Sequence, residues 1–183
     1  MARFQRQRIR FQRQPPGTAI TRSFLVVGGG LAATAGWLLV ARDPRQAALV
    51  GGASGVMLLV GGHRANHGAG GPTDRVLDEL LDRAWDAAVL GSIAWAAREA
   101  RPPVAAGALV SLCLSFLSAY VRARGAALEY SVEESHVTRG IRYALVIAGL
   151  GFGWLGWTVW VSAGVAALAA FVRTAQVAGE ERA

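Results

Sequence analysis

Long runs of apolar residues, separated by short charged turns, constrain the fold of this chain more than any other feature. Apolar residues make up 53% of the 183 positions and charged residues only 17%, a composition that is typical of proteins that lie in lipid. Inside a bilayer, the backbone polar groups of a spanning segment must bond to one another, so each run is expected to be a helix. We therefore predict an all-α integral membrane bundle of six transmembrane helices, with both termini cytoplasmic.

The predicted spans follow one another with short connections. The first four cover residues 23–41, 47–62, 84–97 and 103–121. The last apolar stretch, residues 143–172, is long for one crossing and short for two. Gly151, Gly153 and Gly156 favour a turn that divides it into two helices, and one strongly tilted helix is the alternative.

The segment before the first span is strongly basic. Residues 1–22 hold six arginines and no acidic residue. Beside a membrane span, such a segment suits anionic lipid head groups better than RNA, so lipid is the expected partner and nucleic acid is not. We interpret residues 1–22 as a basic cytoplasmic segment, 23–177 as the six-helix transmembrane domain and 178–183 as a cytoplasmic tail.

The arginines are distributed unevenly between the two predicted sides of the membrane. Of the 19 arginines, 15 fall in segments assigned to the inside and four in the outer loops. Lys and Arg concentrate in cytoplasmic loops, and tryptophan concentrates at membrane interfaces. The tryptophans that fall near the predicted outer interface are Trp37, Trp95, Trp154, Trp157 and Trp160. We predict a multi-pass protein of the plasma membrane, with its active face in the cytoplasm.

An acidic ladder begins the helix that leads into the third span. Aspartate recurs at every fourth position, as Asp74, Asp78, Asp82 and Asp86, which places the four carboxylates along one side of a helix that starts at Pro72. Like charges at this spacing repel one another. The ladder therefore needs a compensating partner, for which a divalent cation is the first candidate.

The alternative interpretation is a solvated helix face. In that case Arg75 pairs with Glu79 and Arg83 pairs with Asp86 along the helix surface. The direct continuation of the acidic turns into an apolar span favours a functional site, because ionisable residues at such a junction are functional candidates.

Two histidines offer a weaker metal site. His63 and His67 lie in a glycine-rich stretch, residues 61–71, and could share a metal ion only if that stretch were helical. Its many glycines predict a loop instead.

Three segments carry a combined pattern. Residues 76–83 hold Asp78 and Asp82 four positions apart, residues 120–124 read Tyr-Val-Arg-Ala-Arg, and Arg139 and Arg142 lie three positions apart. Together these segments resemble the CDP-alcohol phosphatidyltransferase family of six-span lipid synthases, in particular the type that makes phosphatidylinositol phosphate. Asp78 and Asp82 match the third and fourth aspartates of its D-x-x-D-G-x-x-A-R…G-x-x-x-D-x-x-x-D signature, and the other two segments look like two further family segments.

The first half of the signature is degenerate. Counting back from Asp74 puts Met57 and Val60 at the first two aspartate positions, and Arg64-Ala65 stands where Ala-Arg is expected.

The resemblance implies transfer of a phosphatidyl group from CDP-diacylglycerol to a polar alcohol such as inositol phosphate, with release of CMP. It implies that Asp82 is the catalytic base and that Asp78 and Asp82 are ligands of Mg²⁺ or Mn²⁺. It also implies a homodimer surrounded by membrane lipids. The residues expected to bind substrate are Arg64, Arg122, Arg139 and Arg142. Asp74 and Asp86, one turn to either side, are expected to point away from the site.

Two further interpretations stay open. The chain could be a catalytically inactive member of the family that acts as a membrane binding or assembly partner. It could instead be an unrelated small polytopic membrane protein or transporter subunit, whose Asp/Arg pairs are structural.

Overall fold

The computed structural model describes residues 17–128 and 136–180. The five arginines between residues 3 and 13 lie outside the described part, as do Glu129, Glu133 and Glu134 and the last three residues.

The described part of the chain forms six α-helices joined by short turns. They are α1 (Thr18–Val40), α2 (Pro44–Asn66), α3 (Pro72–Ala97), α4 (Pro102–Ala127), α5 (His136–Phe152) and α6 (Leu155–Glu180). The all-helical prediction is confirmed.

Proline residues fix where three of the helices begin. Pro44, Pro72 and Pro102 each occupy a first helical turn, where the fixed φ of proline suits the helix and its missing N–H leaves nothing unbonded. Asp43 caps α2 by accepting a hydrogen bond from the N–H of Gln46 at 3.1 Å. Both α2 and α4 extend past the spans predicted for them, because the polar residues at their ends are also helical.

The last apolar stretch divides into two helices at its glycines. Between Phe152 and Leu155 the chain turns at Gly153, which has a φ of 75°, a left-handed conformation that glycine adopts without strain. The predicted division of residues 143–172 is therefore confirmed.

Four helices within the described residues are long and apolar enough to cross a membrane. They are α1, α2, α4 and residues 155–178 of α6. The other two differ because α3 carries the four aspartates and α5 has 17 residues. Six crossings, and the sidedness of the termini, stay predictions.

Helix α3 lies at the centre of the bundle, in contact with α1, α2 and α4. Its apolar half is buried through Trp85, Val89, Leu90 and Ile93. A helix that is covered on several sides can carry charged residues where neighbouring helices supply partners for them.

Small residues let the helices of the bundle approach closely. Gly51 and Gly55 of α2 face α5, where added Cβ atoms would lie 2.8 Å from Ile147 and 3.0 Å from Tyr143. Gly28 of α1 gives the same room to Leu58 of α2. The small-residue spacing in α2 is thus used at a helix contact, as in other membrane bundles.

The two ends of the bundle differ in chemistry. We call the end where α3 begins, at Pro72, the aspartate end. We call the opposite end, where α3 finishes at Ala97, the tryptophan end. Exposed tryptophans mark the tryptophan end: Trp37, Trp95, Trp154, Trp157 and, in the second turn of α6, Trp160.

The contact between α1 and α3 at Gly36 gives a first testable expectation. A Cβ at Gly36 would lie 2.8 Å from the backbone oxygen of Ala88, and a backbone atom cannot rotate away. Gly36→Ala is expected to destabilise the protein by about 1–3 kcal/mol, the usual cost of overpacking. The matched control is Gly30→Ala, because nothing lies within 4 Å of a Cβ there. Unfolding by denaturant in detergent micelles measures both, and equal effects would contradict the close approach.

Candidate functional site

All four aspartates of the acidic ladder are buried. Asp74 and Asp86 are fully enclosed, and Asp78 and Asp82 are 2% and 1% exposed. The solvated-face interpretation is therefore wrong. Asp74 and Asp86, which were expected to point away from the site, do not line the cavity beside Asp82, and other helices cover both of them.

Each aspartate of the ladder is paired with an arginine. The carboxylate of Asp74 accepts from Arg22 of α1 at 2.6 Å, and Asp78 accepts from Arg139 of α5 at 2.8 Å. Burying a carboxylate is costly unless it is paired and hydrogen-bonded. These ion pairs explain how the four aspartates can be buried inside the protein.

The two deeper aspartates share three arginines. Asp82 lies 3.4 Å from Nε of Arg139 and also pairs with Arg83. Asp86 accepts two hydrogen bonds from Arg142, at 2.7 and 2.8 Å, and lies 3.1 Å from Arg83. The predicted Arg83–Asp86 pair is thus present, within a larger buried network.

We call these residues the Asp/Arg network. Its members are Asp74, Asp78, Asp82, Asp86, Arg22, Arg83, Arg139 and Arg142. Among the residues that the structure describes, the four carboxylates of this network are matched by four guanidinium groups.

Asp74 is the first aspartate of the network and lies in the first turn of α3, before the apolar half of that helix. Burial acts to raise the pKa of Asp74, but the hydrogen bonds from Arg22 and from the N–H of Gly71, at 2.7 Å, outweigh burial and hold this pKa below its ordinary value. A carboxyl whose pKa is lowered on folding stabilises the protein at neutral pH. That contribution is lost as the pH falls through the lowered pKa.

Helices α3 and α5 do not contact each other through their backbones, since no Cα atoms of their described residues come within 8 Å of each other. Long side chains fill the space between them. Tyr143 crosses the gap and donates to Asp82 at 2.5 Å, and its ring packs on Trp85 with the ring centroids 4.1 Å apart. Ser115 of α4 donates to Asp86.

Sequence reasoning missed Tyr143 and Ser115. Tyr143 follows Arg139 by four residues and so lies on the same face of α5. Ser115 belongs to a row of serines in the otherwise apolar α4, with Ser111 and Ser118. Polar residues repeated at helical spacing in an apolar run were the available signal.

A small cavity opens beside Asp82. Its volume is about 20 Å³, room for about one water molecule. Three of the arginines expected to bind substrate, Arg122, Arg139 and Arg142, line it together with Asp82. The structure thus brings these residues together, and their roles in binding remain predictions. Arg122 also pairs with Glu79, the residue expected to pair with Arg75.

Arg64 lies away from this cavity. It is in the last turn of α2, near the start of α1, where a Cβ on Gly17 would be 3.6 Å from its guanidinium. Its Nε is buried, without a hydrogen-bond partner in the described part of the chain. Of the four arginines expected to bind substrate, Arg64 is the one that the fold separates from the others.

The α2 wall opposite Asp78 carries no carboxylate. Gly62 faces Asp78 so closely that an added Cβ would lie 2.9 Å from Oδ2, and Asn66 donates to the same oxygen at 3.4 Å. The positions obtained by counting back through the signature lie elsewhere. Met57 lines an apolar cavity with residues of α1, and Val60 is 40% exposed.

These residues do not fit a divalent metal ion. No group of three or more His, Cys, Asp or Glu side chains that could hold a metal occurs within residues 17–128 and 136–180. Of the expected ligands, Asp78 already accepts a hydrogen bond from Arg139, and Asp82 accepts from Arg83 and Tyr143 and forms an ion pair with Arg139. A Mg²⁺ site built on these two aspartates would have to displace the guanidinium.

The two histidines, His63 and His67, lie at the end of α2. The loop expectation for residues 61–71 is wrong in its first half, since α2 continues through Asn66. The rings of His63 and His67 stack with centroids 4.1 Å apart, on the exposed side of the helix end.

Comparison with known proteins identifies the fold. No protein-family model matches the chain, and no curated protein matches it in sequence. Two crystal structures of phosphatidylinositol phosphate synthase (PgsA1) from Mycobacterium tuberculosis are similar to it. The apo form is 22% identical with a TM-score of 0.69, over 87% of this chain and 95% of that chain. The complex with manganese and citrate is 21% identical with a TM-score of 0.71, over 88% of each chain.

This likeness is one of fold. It extends over nearly the whole of both proteins, so it includes the helices that carry the Asp/Arg network. The manganese ion belongs to the mycobacterial protein, and activity must be argued from the residues of this chain.

Proposed function

We propose that this chain is a non-catalytic, CDP-alcohol phosphatidyltransferase-like membrane protein that binds a phosphorylated polar head group in phospholipid biosynthesis. The observation that carries the proposal is the Asp/Arg network, in which arginines neutralise the four buried aspartates. In the family that the sequence resembles, the corresponding charge is neutralised by metal ions. Gly62 supports the proposal as well, because the wall opposite Asp78 lacks a carboxylate.

The arginines beside Asp82 supply the binding chemistry. Guanidinium groups bind phosphate through paired, charge-assisted hydrogen bonds. Arg122 and Arg173 line the cavity where it reaches the surface, and each is partly exposed. The cavity as it stands is too small for a phosphate, so binding requires Arg122 to break its ion pair with Glu79. The side chain of Glu79 is 37% exposed, so it can turn to solvent when the pair breaks. A phosphate group would then replace that carboxylate.

The second candidate is phosphatidyl transfer itself. It is favoured by one observation, that Asp82 lines the same cavity as Arg122, Arg139 and Arg142. In this candidate Asp82 takes the proton of the attacking alcohol. Two donors, Arg83 and Tyr143, already occupy the Asp82 carboxylate, which opposes that role.

Membrane placement is part of the proposal. We place the protein in the plasma membrane. The arginine distribution supports an orientation with the aspartate end in the cytoplasm, where a phosphorylated head-group precursor would be met. A homodimer is proposed from the family resemblance, and cross-linking in native membranes tests it.

The deciding experiment measures CMP release from CDP-diacylglycerol by the purified chain. Mn²⁺ or Mg²⁺ is added with inositol phosphate, glycerol phosphate or serine as the acceptor, and the mycobacterial synthase serves as the positive control. No release above the metal-free background is expected. Metal-dependent release that Asp82→Asn abolishes would overturn the non-catalytic proposal and establish the second candidate.

A binding measurement tests the positive side of the proposal. Inositol phosphate binding to the purified chain is expected to weaken about tenfold in Arg122→Gln, the loss of one charge-assisted hydrogen-bonding partner. The matched control is Arg124→Gln, which removes the same charge from an exposed position on α4 that does not line the cavity. Equal weakening in both variants would indicate general charge attraction and contradict the assigned site.

A further inference from the structure

A second, larger cavity lies at the tryptophan end, at the opposite end of the bundle from the aspartates. Its volume is about 300 Å³, at the lower end of the range for ligand sites. Its walls are apolar, with Leu39, Ile93 and Leu150 contributed by three different helices. Three arginines and one glutamate of the connecting turns also line it: Arg42, Arg98, Glu99 and Arg101. The cavity therefore combines an apolar interior with a basic rim.

The positive charge of this rim is only partly compensated. Arg98 pairs with Glu99 at 2.9 Å and lies over the ring of Trp95. Arg42 and Arg101 are exposed, and neither makes an ion pair with any acidic residue in the described part of the chain. The nearby Asp43 is used to cap α2.

The helix ends do not decide the charge of this cavity. Helices α2, α4 and α6 begin at this end, and α1, α3 and α5 finish there. Residues of first turns, Pro44 and Leu155, and of last turns, Leu39 and Leu150, line the cavity. Helix N-termini carry partial positive charge and C-termini partial negative charge, so the two contributions offset each other. The preference of the cavity for an anion therefore rests on its arginines.

The exposed tryptophans indicate the depth at which the basic rim lies in the membrane. Trp37 lies two residues before Leu39, Trp95 lies three residues before Arg98, and Trp154 directly precedes the start of α6. They are 68%, 58% and 63% exposed. Exposed tryptophans of membrane proteins collect at the level of the lipid head groups. The basic rim thus lies where lipid phosphates lie, with the apolar interior on the side of the acyl chains.

We propose that this cavity binds an anionic phospholipid of the adjacent leaflet. The head-group phosphate lies on Arg42 and Arg101, and the glycerol backbone and first methylenes of an acyl chain cover the leucine-lined interior. A soluble phosphate would meet the same arginines but would leave the apolar walls uncovered, so the structure favours the lipid. This site does not involve the Asp/Arg network and is independent of the function proposed for the aspartate end.

The test measures lipid retention by native mass spectrometry. The full-length protein is purified from nanodiscs that contain equal amounts of phosphatidylglycerol and phosphatidylcholine. We compare the wild type with Arg42→Asn/Arg101→Gln, because asparagine tolerates the φ of 65° at position 42. The matched control is Arg45→Gln, an exposed arginine in the first turn of α2 that does not line the cavity.

The wild type is expected to retain phosphatidylglycerol over phosphatidylcholine. Each arginine removed is expected to weaken retention by about fivefold, and both together by about 25-fold. The control Arg45→Gln should change retention less than twofold, because salt screens an exposed charge outside the cavity.

Three results would overturn the proposal. The first is a wild type that retains both lipids equally, a result that does not depend on the folding of any variant. The second is a loss in Arg45→Gln as large as in the double variant, which would indicate general charge attraction. The third is release of the lipid by millimolar inorganic phosphate or glycerol phosphate, which would identify a soluble anion as the ligand.

Discussion

Replacement of Arg142 by alanine is expected to lower the free energy of unfolding by about 3–5 kcal/mol, the usual cost of breaking a buried ion pair from one side. Arg142 is 7% exposed, donates twice to Asp86 and also contacts Ser115 at 3.1 Å. Its removal leaves the Asp86 carboxylate, which is fully enclosed, with Arg83 and the hydroxyl of Ser115. Unfolding by denaturant in detergent micelles measures the loss.

A paired replacement separates lost charge compensation from lost packing. In Arg142→Met/Asp86→Leu both charges are absent and the volume is roughly kept, so most of the lost stability should return. Arg83 retains a partner in Asp82. The matched control is Glu99→Gln, which breaks an ion pair exposed to solvent and should change stability by less than about 1 kcal/mol. A double variant no more stable than Arg142→Ala would show that packing dominates.

Arg139→Ala is expected to make the stability of the protein depend on divalent cations. Arg139 is 6% exposed and lies against both Asp78 and Asp82. Without it, two buried carboxylates one helical turn apart lose their shared counter-charge, and stability should fall by about 3–5 kcal/mol. The space left by the guanidinium is bounded by the two carboxylates, which are suitable ligands for Mn²⁺ or Mg²⁺.

Thermal unfolding with and without Mn²⁺ measures this dependence. A hundredfold excess of Mn²⁺ over its dissociation constant should return about 2.7 kcal/mol to Arg139→Ala. The wild type should gain nothing, because its carboxylates are already paired. Arg75→Gln is the matched control, an exposed arginine of α3 outside the network. Stabilisation of the wild type by Mn²⁺ would contradict the proposal that arginines take the place of a metal ion in this chain.

The interior of the site is where sequence reasoning was least complete. Asp78, Asp82, Arg139 and Arg142 were identified through their spacing and through the family resemblance, and the fold brings them together. The partners Arg22 and Tyr143 were not anticipated. Neither residue stands at a distinctive spacing relative to the aspartates. Arg22 lies on α1, 52 positions from Asp74, and Tyr143 lies on α5, 61 positions from Asp82.

The wall opposite the aspartates depended on helix rotation. Counting along the family signature put Met57 and Val60 opposite the ladder, whereas α2 turns Gly62 and Asn66 toward Asp78. Each residue rotates a helix position by about 100°, so an error of one or two residues in a connecting loop moves a side chain to a different face. Position in a motif alone therefore did not fix which α2 residues meet the carboxylates.

The sequence by itself determined the helical class, the division of the last apolar stretch and the two chemically different ends. These follow from local properties: apolar runs long enough for lipid, prolines and glycines at helix ends, and the segregation of tryptophans from aspartates. Only the tertiary structure decided that the acidic ladder is buried and neutralised by arginine. The reason is that charge compensation inside a protein depends on which helices pack together and at what rotation, and both are set by contacts between residues that are distant in the chain.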